Sequence, residues 1–193
     1  MTIIDMHIHL KLRSRCSNLS VKDLHEHLSP IFNGVCFTDH WLLKPKKVHP
    51  FTKVKVFHGV EITCKLGDIL AYGIKSIPLR NDHVEPEKVI TRIHDQGGVA
   101  VCAHPFTNRH EGFGVHVFDH EFDALEINGA LNKDYHLKAK KAARKMNLPL
   151  IGGSDAHSIR QLNTFGTKFE IPIYKMEDIV QAIKKRKCKA IKI

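Results

Sequence analysis

Residues 85–105 read Glu85-Pro86-Glu87-Lys88-Val89-Ile90-Thr91-Arg92-Ile93-His94-Asp95-Gln96-Gly97-Gly98-Val99-Ala100-Val101-Cys102-Ala103-His104-Pro105. Pro86 suits the first turn of a helix, where its missing N–H costs nothing and its fixed φ is already helical. Gly97-Gly98 stops that helix. Val99–Ala103 is a short, uniformly apolar run, as expected of a strand buried on both faces. A helix, a glycine stop and a buried strand ending in a polar residue make one α/β unit. Outward from it, strands are expected at Ile3 to His9, Gly34 to Thr38, Val54 to Glu61, Asp68 to Gly73, Phe122 to Ile127, Leu148 to Gly152 and Phe165 to Ile173. Helices are expected from Ser20 through Pro30, over Lys133 to Met146 and over Met176 to Lys187, with Lys189 to Ile193 as a last short strand. Lys44 to Lys53 reads as a loop, and Phe106 to His120 as a loop over the site or a lid. Such alternation predicts a mostly parallel sheet with helices outside, open or closed into a barrel.

The 193 residues fit one domain spanning 1–193. Hydrophobic residues at 42% and charged residues at 26% exclude global disorder and fibrous repeats. The apolar runs fall far short of the ~20 residues that cross a bilayer, and the N-terminus lacks a signal-peptide layout, so a soluble cytoplasmic protein with no membrane partner is expected. Thirty Lys and Arg against twenty Asp and Glu give a formal charge of +10. That charge favours phosphate-bearing partners without choosing between a small ester and nucleic acid. Five widely spaced Cys and no CxxC argue against a disulfide framework or a Cys-type zinc finger, and read mostly as core residues. The unusual count is fifteen His, and its meaning depends on where they sit.

Five of them gather with carboxylates at strand ends. The first strand ends in Asp5-Met6-His7-Ile8-His9, the second in Thr38-Asp39-His40, the third in Gly59-Val60-Glu61. The next carries Asp68 at its start; later ones end in Ala103-His104-Pro105, in Glu126 and Asn128, and in Gly152-Gly153-Ser154-Asp155-Ala156-His157. Parallel α/β folds bind ligands at the carboxyl edge of their strands, so these side chains should converge. His7 and His9, two apart on a strand, point to one side; Asp155 and His157 share that spacing. Imidazole with carboxylate suits Zn²⁺, Mn²⁺ or Fe²⁺, and the set is too large for one ion. Taken singly, each motif has a structural explanation; their order at successive strand ends argues for a site. His25, His27, His94 and His136 read as surface helix residues and are left out, as are the remaining loop histidines.

Asp5-Met6-His7-Ile8-His9, Thr38-Asp39-His40, Gly59-Val60-Glu61-Ile62, Ala103-His104-Pro105 and Gly153-Ser154-Asp155-Ala156-His157 together resemble the successive motifs of the PHP (polymerase and histidinol phosphatase) family. The resemblance implies a distorted (β/α)₇ TIM-like barrel, two or three divalent ions (Zn²⁺, Mn²⁺ or Fe²⁺, with Mg²⁺ a further option) and phosphate-ester hydrolysis. It implies that His7, His9 and Asp155 hold a first ion, Glu61 bridges to a second held by His104, and His40 and His157 hold a third. There are two departures. Many relatives carry an Asp shortly after the His-x-His, whereas Lys11-Leu12-Arg13-Ser14-Arg15-Cys16-Ser17 has no carboxylate, which implies a third ion weakly held or absent. Asp68 stands where many relatives have His, and is retained as a metal ligand. The nucleophile implied is a metal-activated water, with no Ser or Cys required. Arg109 is placed to grip phosphate, with Arg160 and Arg13 as further candidates that are equally explained as surface residues. A phosphoesterase acting on a small phosphomonoester or nucleotide is the leading expectation. A nuclease or nucleic-acid processing factor comes next, and a non-catalytic binding barrel last. The sequence does not fix an oligomeric state.

Overall fold

The computed structural model describes residues 1–11, 13–43, 53–78, 84–108 and 112–193. Arg109 and most of the expected 44–53 loop lie outside the described residues. The strands are β1 (Thr2–Ile8), β2 (Gly34–Phe37), β3 (Lys55–His58), β4 (Val60–Cys64), β5 (Gly67–Tyr72), β6 (Val99–Cys102), β7 (Ala124–Asn128), β8 (Leu150–Gly153), β9 (Phe165–Phe169) and β10 (Cys188–Lys192). The helices are α1 (Val21–His27), α2 (Pro86–Asp95), α3 (Lys133–Met146) and α4 (Met176–Lys184). Local chemistry sets their ends. The Ser20 hydroxyl accepts from the Asp23 N–H while the Asp23 carboxylate accepts from the Ser20 N–H, a reciprocal cap on α1. Asn132 caps α3, and Asn147 ends it in the left-handed conformation.

The strands form two five-stranded sheets, ordered β10-β9-β1-β2-β3 and β4-β5-β6-β7-β8. Among the described residues four pairings are parallel and four antiparallel, so the expectation of a mostly parallel sheet is corrected. The antiparallel members are β4–β5, joined by a tight turn, β5–β6, and β9 with both neighbours. The expected strand Val54 to Glu61 is two strands broken at Gly59. There, any Cβ would lie 2.7 Å from the Tyr72 ring, whose hydroxyl donates to the Met6 carbonyl at 2.8 Å. The expected irregular 106–120 stretch contains a 3-10 turn at Gly114–Asp119, with Val117 buried.

The two sheets meet on both sides of the site. At one seam the chain beyond β2 pairs with β4: the Glu61 N–H donates to the Thr38 carbonyl and the Trp41 N–H to the Glu61 carbonyl, both at 3.1 Å. At the other, beyond β1 and β8, the Asp155 N–H donates to the His7 carbonyl at 2.8 Å and the His9 N–H to the Ala156 carbonyl at 3.1 Å. Ile4, Met6, Leu70, Val99, Val101, Ala124, Ile151 and Phe169 fill a core between the sheets with α4. α2 and α3 cover the second sheet through Val89, Ile90, Ile93, Ala142 and Ala143, and α1 covers the first through Leu24. Val180 of α4 packs on Gly73, and Lys184 donates to the Gly97 carbonyl, so α4 covers the end where β5 finishes and β6 begins. The opposite end is left for the site.

Candidate metal centre

His7 and His9 project from β1 and the residue after it, His40 from beyond β2, Glu61 from β4, Asp68 from β5, His104 from beyond β6, and Asp155 and His157 from beyond β8. All eight expected ligands come together at one end. Asp68 joins them from the start of its strand because β5 runs antiparallel to β6, with the Ala103 N–H donating to the Asp68 carbonyl at 3.1 Å. The donor atoms fall into three groups, each within 4.8 Å: His7, His9 and Asp155; Glu61, Asp68 and His104; and His9, Cys16, His40 and His157. Glu61 lies between them. Its Oε2 is 3.4 Å from His7 Nε2, 3.1 Å from His9 Nε2 and 3.3 Å from His40 Nδ1, while Oε1 is 3.1 Å from His104 Nε2. A cavity of about 320 Å³ opens onto Cys16, His40, Glu61, Asp68, His104, Asp155 and His157.

The outer hydrogen bonds fix which ring nitrogens face inward. His7 Nδ1 lies 2.8 Å from Glu126 Oε1, and an ionised carboxylate only accepts, so Nδ1 carries the proton. The Ser14 hydroxyl donates to Asp39 Oδ1 at 2.8 Å, leaving its oxygen to accept from His9 Nδ1 at 3.2 Å. The two Nε2 atoms, 3.0 Å apart, therefore face each other and the carboxylates as lone pairs, an arrangement that calls for positive charge between them. Burial works against charge on His7, yet Glu126, Asp155 and Glu61 outweigh it and hold its pKa well above the ordinary value. His9 and His104 are likewise buried but rise to about 9 beside the carboxylates, Glu61 foremost for His104. Against burial, His7 and its neighbours hold Glu61 and Asp155 well below the carboxylate range. Protons thus stand where cations would, and this donor set fits divalent ions.

Two of the expected ligands hold strained backbone. His104 (φ 27°) and Asp155 (φ 54°) occupy the left-handed region that L side chains rarely adopt. The His104 N–H is held by Glu126 Oε2 at 2.8 Å, and Asn128 Nδ2 spans from Glu126 Oε2 at 3.0 Å to Asp155 Oδ2 at 3.1 Å.

Arg13 is a correction. Its Nε lies 2.7 Å from the buried Asp39 carboxylate and its guanidinium covers Phe37, so it braces the loop behind His9 instead of facing phosphate. Arg160 is exposed on the turn Ile159–Gln161, whose Gln161 lines the cavity. Cys16, unlike the other four cysteines, is exposed, and it lines the cavity. Partial burial, with the Glu61, Asp155 and Asp39 charges, raises its thiol pKa, so it keeps its proton unless positive charge arrives beside it.

A PHP-associated family model matches residues 133–188. The uncharacterized protein MJ1587 of Methanocaldococcus jannaschii is 30% identical over 105 residues, covering 52% of this chain and 60% of the relative. The chain thus spans less than two thirds of the curated relative it matches. The crystal structure of PsfC from Pseudomonas syringae PB-5123 superposes over 100% of this chain and 91% of its own, with a TM-score of 0.79 and 16% identity. The lesion-specific endonuclease PfuEndoQ from Pyrococcus furiosus matches over 98% of this chain and 58% of its own (TM-score 0.64, 20% identity). A candidate metal-dependent phosphoesterase from Bifidobacterium adolescentis matches over 80% and 87% (TM-score 0.57, 15% identity). This chain therefore shares its fold with these solved structures, and its residues 133–188 match the PHP-associated family model.

Proposed function

We propose that the chain is a PHP-family metal-dependent phosphoesterase that hydrolyses a phosphate ester, either a small phosphomonoester or a nucleotide. The observation that carries this reading is the convergence of His7 and His9 Nε2 on Glu61 and Asp155, with both Nδ1 atoms committed outward to Glu126 and Ser14. In this reading His7, His9 and Asp155 would hold one ion, Glu61, Asp68 and His104 would hold a second, and His40 and His157 would take part in a third. Divalent ions in such a centre activate water and offset the charge of the phosphate oxygens and the leaving alkoxide. The chain's own residues hold the geometry. Glu126 keeps the His7 proton on Nδ1, Asp39 acts through Ser14 on His9, and Asn128 steadies Asp155. Arg160 remains a candidate for the phosphate beside the cavity. The distorted (β/α)₇ barrel belongs to the same proposal, with the seams at Thr38–Glu61 and His7–Asp155 joining the two sheets into a ring around the site.

A second reading, cleavage of a phosphodiester in nucleic acid, is favoured by one feature. A cleft of about 680 Å³ lined by Lys133, His136, Lys140 and Lys192 adjoins the cavity through Leu131, which lines both. Cationic clefts of this kind track a phosphate backbone. PfuEndoQ, whose fold this chain shares, is itself an endonuclease.

The deciding experiment measures metal content of the purified protein and hydrolysis of an aryl phosphate monoester and diester after adding Mn²⁺ or Zn²⁺. Two or three ions per chain with monoester turnover are expected, and diester cleavage alone would establish the second reading. His104→Ala should lose about 100-fold or more in rate with the fold intact, since even an outer partner of a ligand can be worth that much. Absence of metal uptake, or unchanged turnover by the variant, overturns the assignment.

A further inference from the structure

We propose that Cys16 is a thiolate ligand of the third ion, making with His40 and His157 a mixed sulfur–nitrogen site that selects Zn²⁺ over Mn²⁺ and Mg²⁺. This rests on the metal-centre reading above and specifies one of its sites. The 11–17 loop lacks a carboxylate. What it offers instead is Sγ, within 4.8 Å of donor atoms of His9, His40 and His157.

The loop is built to hold it there. The Ser14 N–H donates to the Leu10 carbonyl at 2.9 Å and the Ser17 N–H to the Ser14 carbonyl at 3.1 Å, turning the chain back over β1. The Ser17 hydroxyl reaches the His9 carbonyl at 2.8 Å, and the Asn18 N–H reaches the His157 carbonyl at 2.9 Å. Cys16 is thus fixed against the two segments that carry the other donors. The His9 ring stacks against both His157 and His40, with centroids 4.3 and 4.7 Å apart. His157 Nδ1 points to the Asp155 carbonyl at 2.9 Å, so Nε2 is its donor atom. Cys16, His40 and His157 all line the cavity, and three protein donors with an open side match a zinc site that takes a further ligand from solvent or substrate. The other four cysteines are buried and lie in none of the donor groups.

Sulfur sets this site apart from its neighbours. Glu61, Asp68 and His104 offer two carboxylates, which suit Mn²⁺ or Mg²⁺ as well as Zn²⁺. A thiolate favours softer ions, so the three groups should fill differently from a mixed metal pool.

The test replaces the bound ions with Co²⁺ in the full-length protein and records thiolate-to-cobalt charge-transfer absorption in the near ultraviolet. The wild type should show the band at the intensity of one thiolate. Cys16→Ser should abolish it and lower bound Zn²⁺ by one ion per chain, while His104→Ala should keep the band. Cys16→Asp should restore the lost ion with Mn²⁺ present but not the band. Circular dichroism confirms that each variant is folded. Cobalt bound without the band, or a band that survives in Cys16→Ser, overturns the thiolate assignment and leaves the other two groups standing. No cobalt bound at all overturns both this proposal and the metal-centre reading.

Discussion

Glu126 touches three of the chain's site segments at once: it accepts from His7 Nδ1 and the His104 N–H, and from Asn128, which also holds Asp155. Glu126→Gln would leave one acceptor oxygen and turn an N–H₂ toward groups that already donate. Metal affinity should fall about 10- to 100-fold, measured by competition with a chromophoric chelator; unchanged affinity would show that Glu126 does not orient the ligands. Glu126 and Asn128 were visible in the sequence as polar residues two apart in a buried strand, which puts both on one side of β7. Nothing in that spacing distinguishes a residue that holds an ion from one that holds another ligand. The eight ligand candidates were legible because imidazoles and carboxylates at strand ends repeat along the chain. Cys16 was not, because a cysteine in a polar loop reads as a small apolar residue until folding brings His40 and His157 beside it.

Elements were legible where a stop signal coincided with a change of period, as for α2 and β6. α3 matches its expected range, Lys133–Met146. Strand direction was not legible, because a short apolar run looks the same in either orientation. Asp68, polar at the start of its strand, was the one sign that β5 runs the other way. β8 provides a sharp test of element packing. A Cβ on Gly153 would lie 2.4 Å from His7 Cβ and 2.8 Å from the His7 nitrogen, so only glycine lets β8 approach β1. Gly153→Ala should cost about 1–3 kcal/mol, as overpacking does, and release metal by displacing His7. Urea unfolding with metal analysis checks both, and a variant with wild-type midpoint and metal content would refute the close-approach argument.

For the molecule as a whole, the centre draws His7, His9, His40 and Cys16 from the first sheet and its loops, and Glu61, Asp68, His104, Asp155 and His157 from the second. An ion held by His7, His9 and Asp155 would clasp the two sheets together. Ions that bind only the folded state at about 100 times their Kd add about 2.7 kcal/mol. Stripping them with a chelator should therefore lower Tm by about 5–10 °C for a domain of this size, recoverable by adding metal back; an unchanged Tm would show that the sheets are held without ions. β1 also sits between β2 and β9, with Thr2, Ile3 and Ile4 opposite Phe169, Lys168 and Thr167. The strand that carries His7 and His9 thus has one flank closed by a segment about 165 residues further along the chain. During translation the half-built centre must wait, with His7 and His9 beside an unpaired edge, until that distant segment has been made and has folded in.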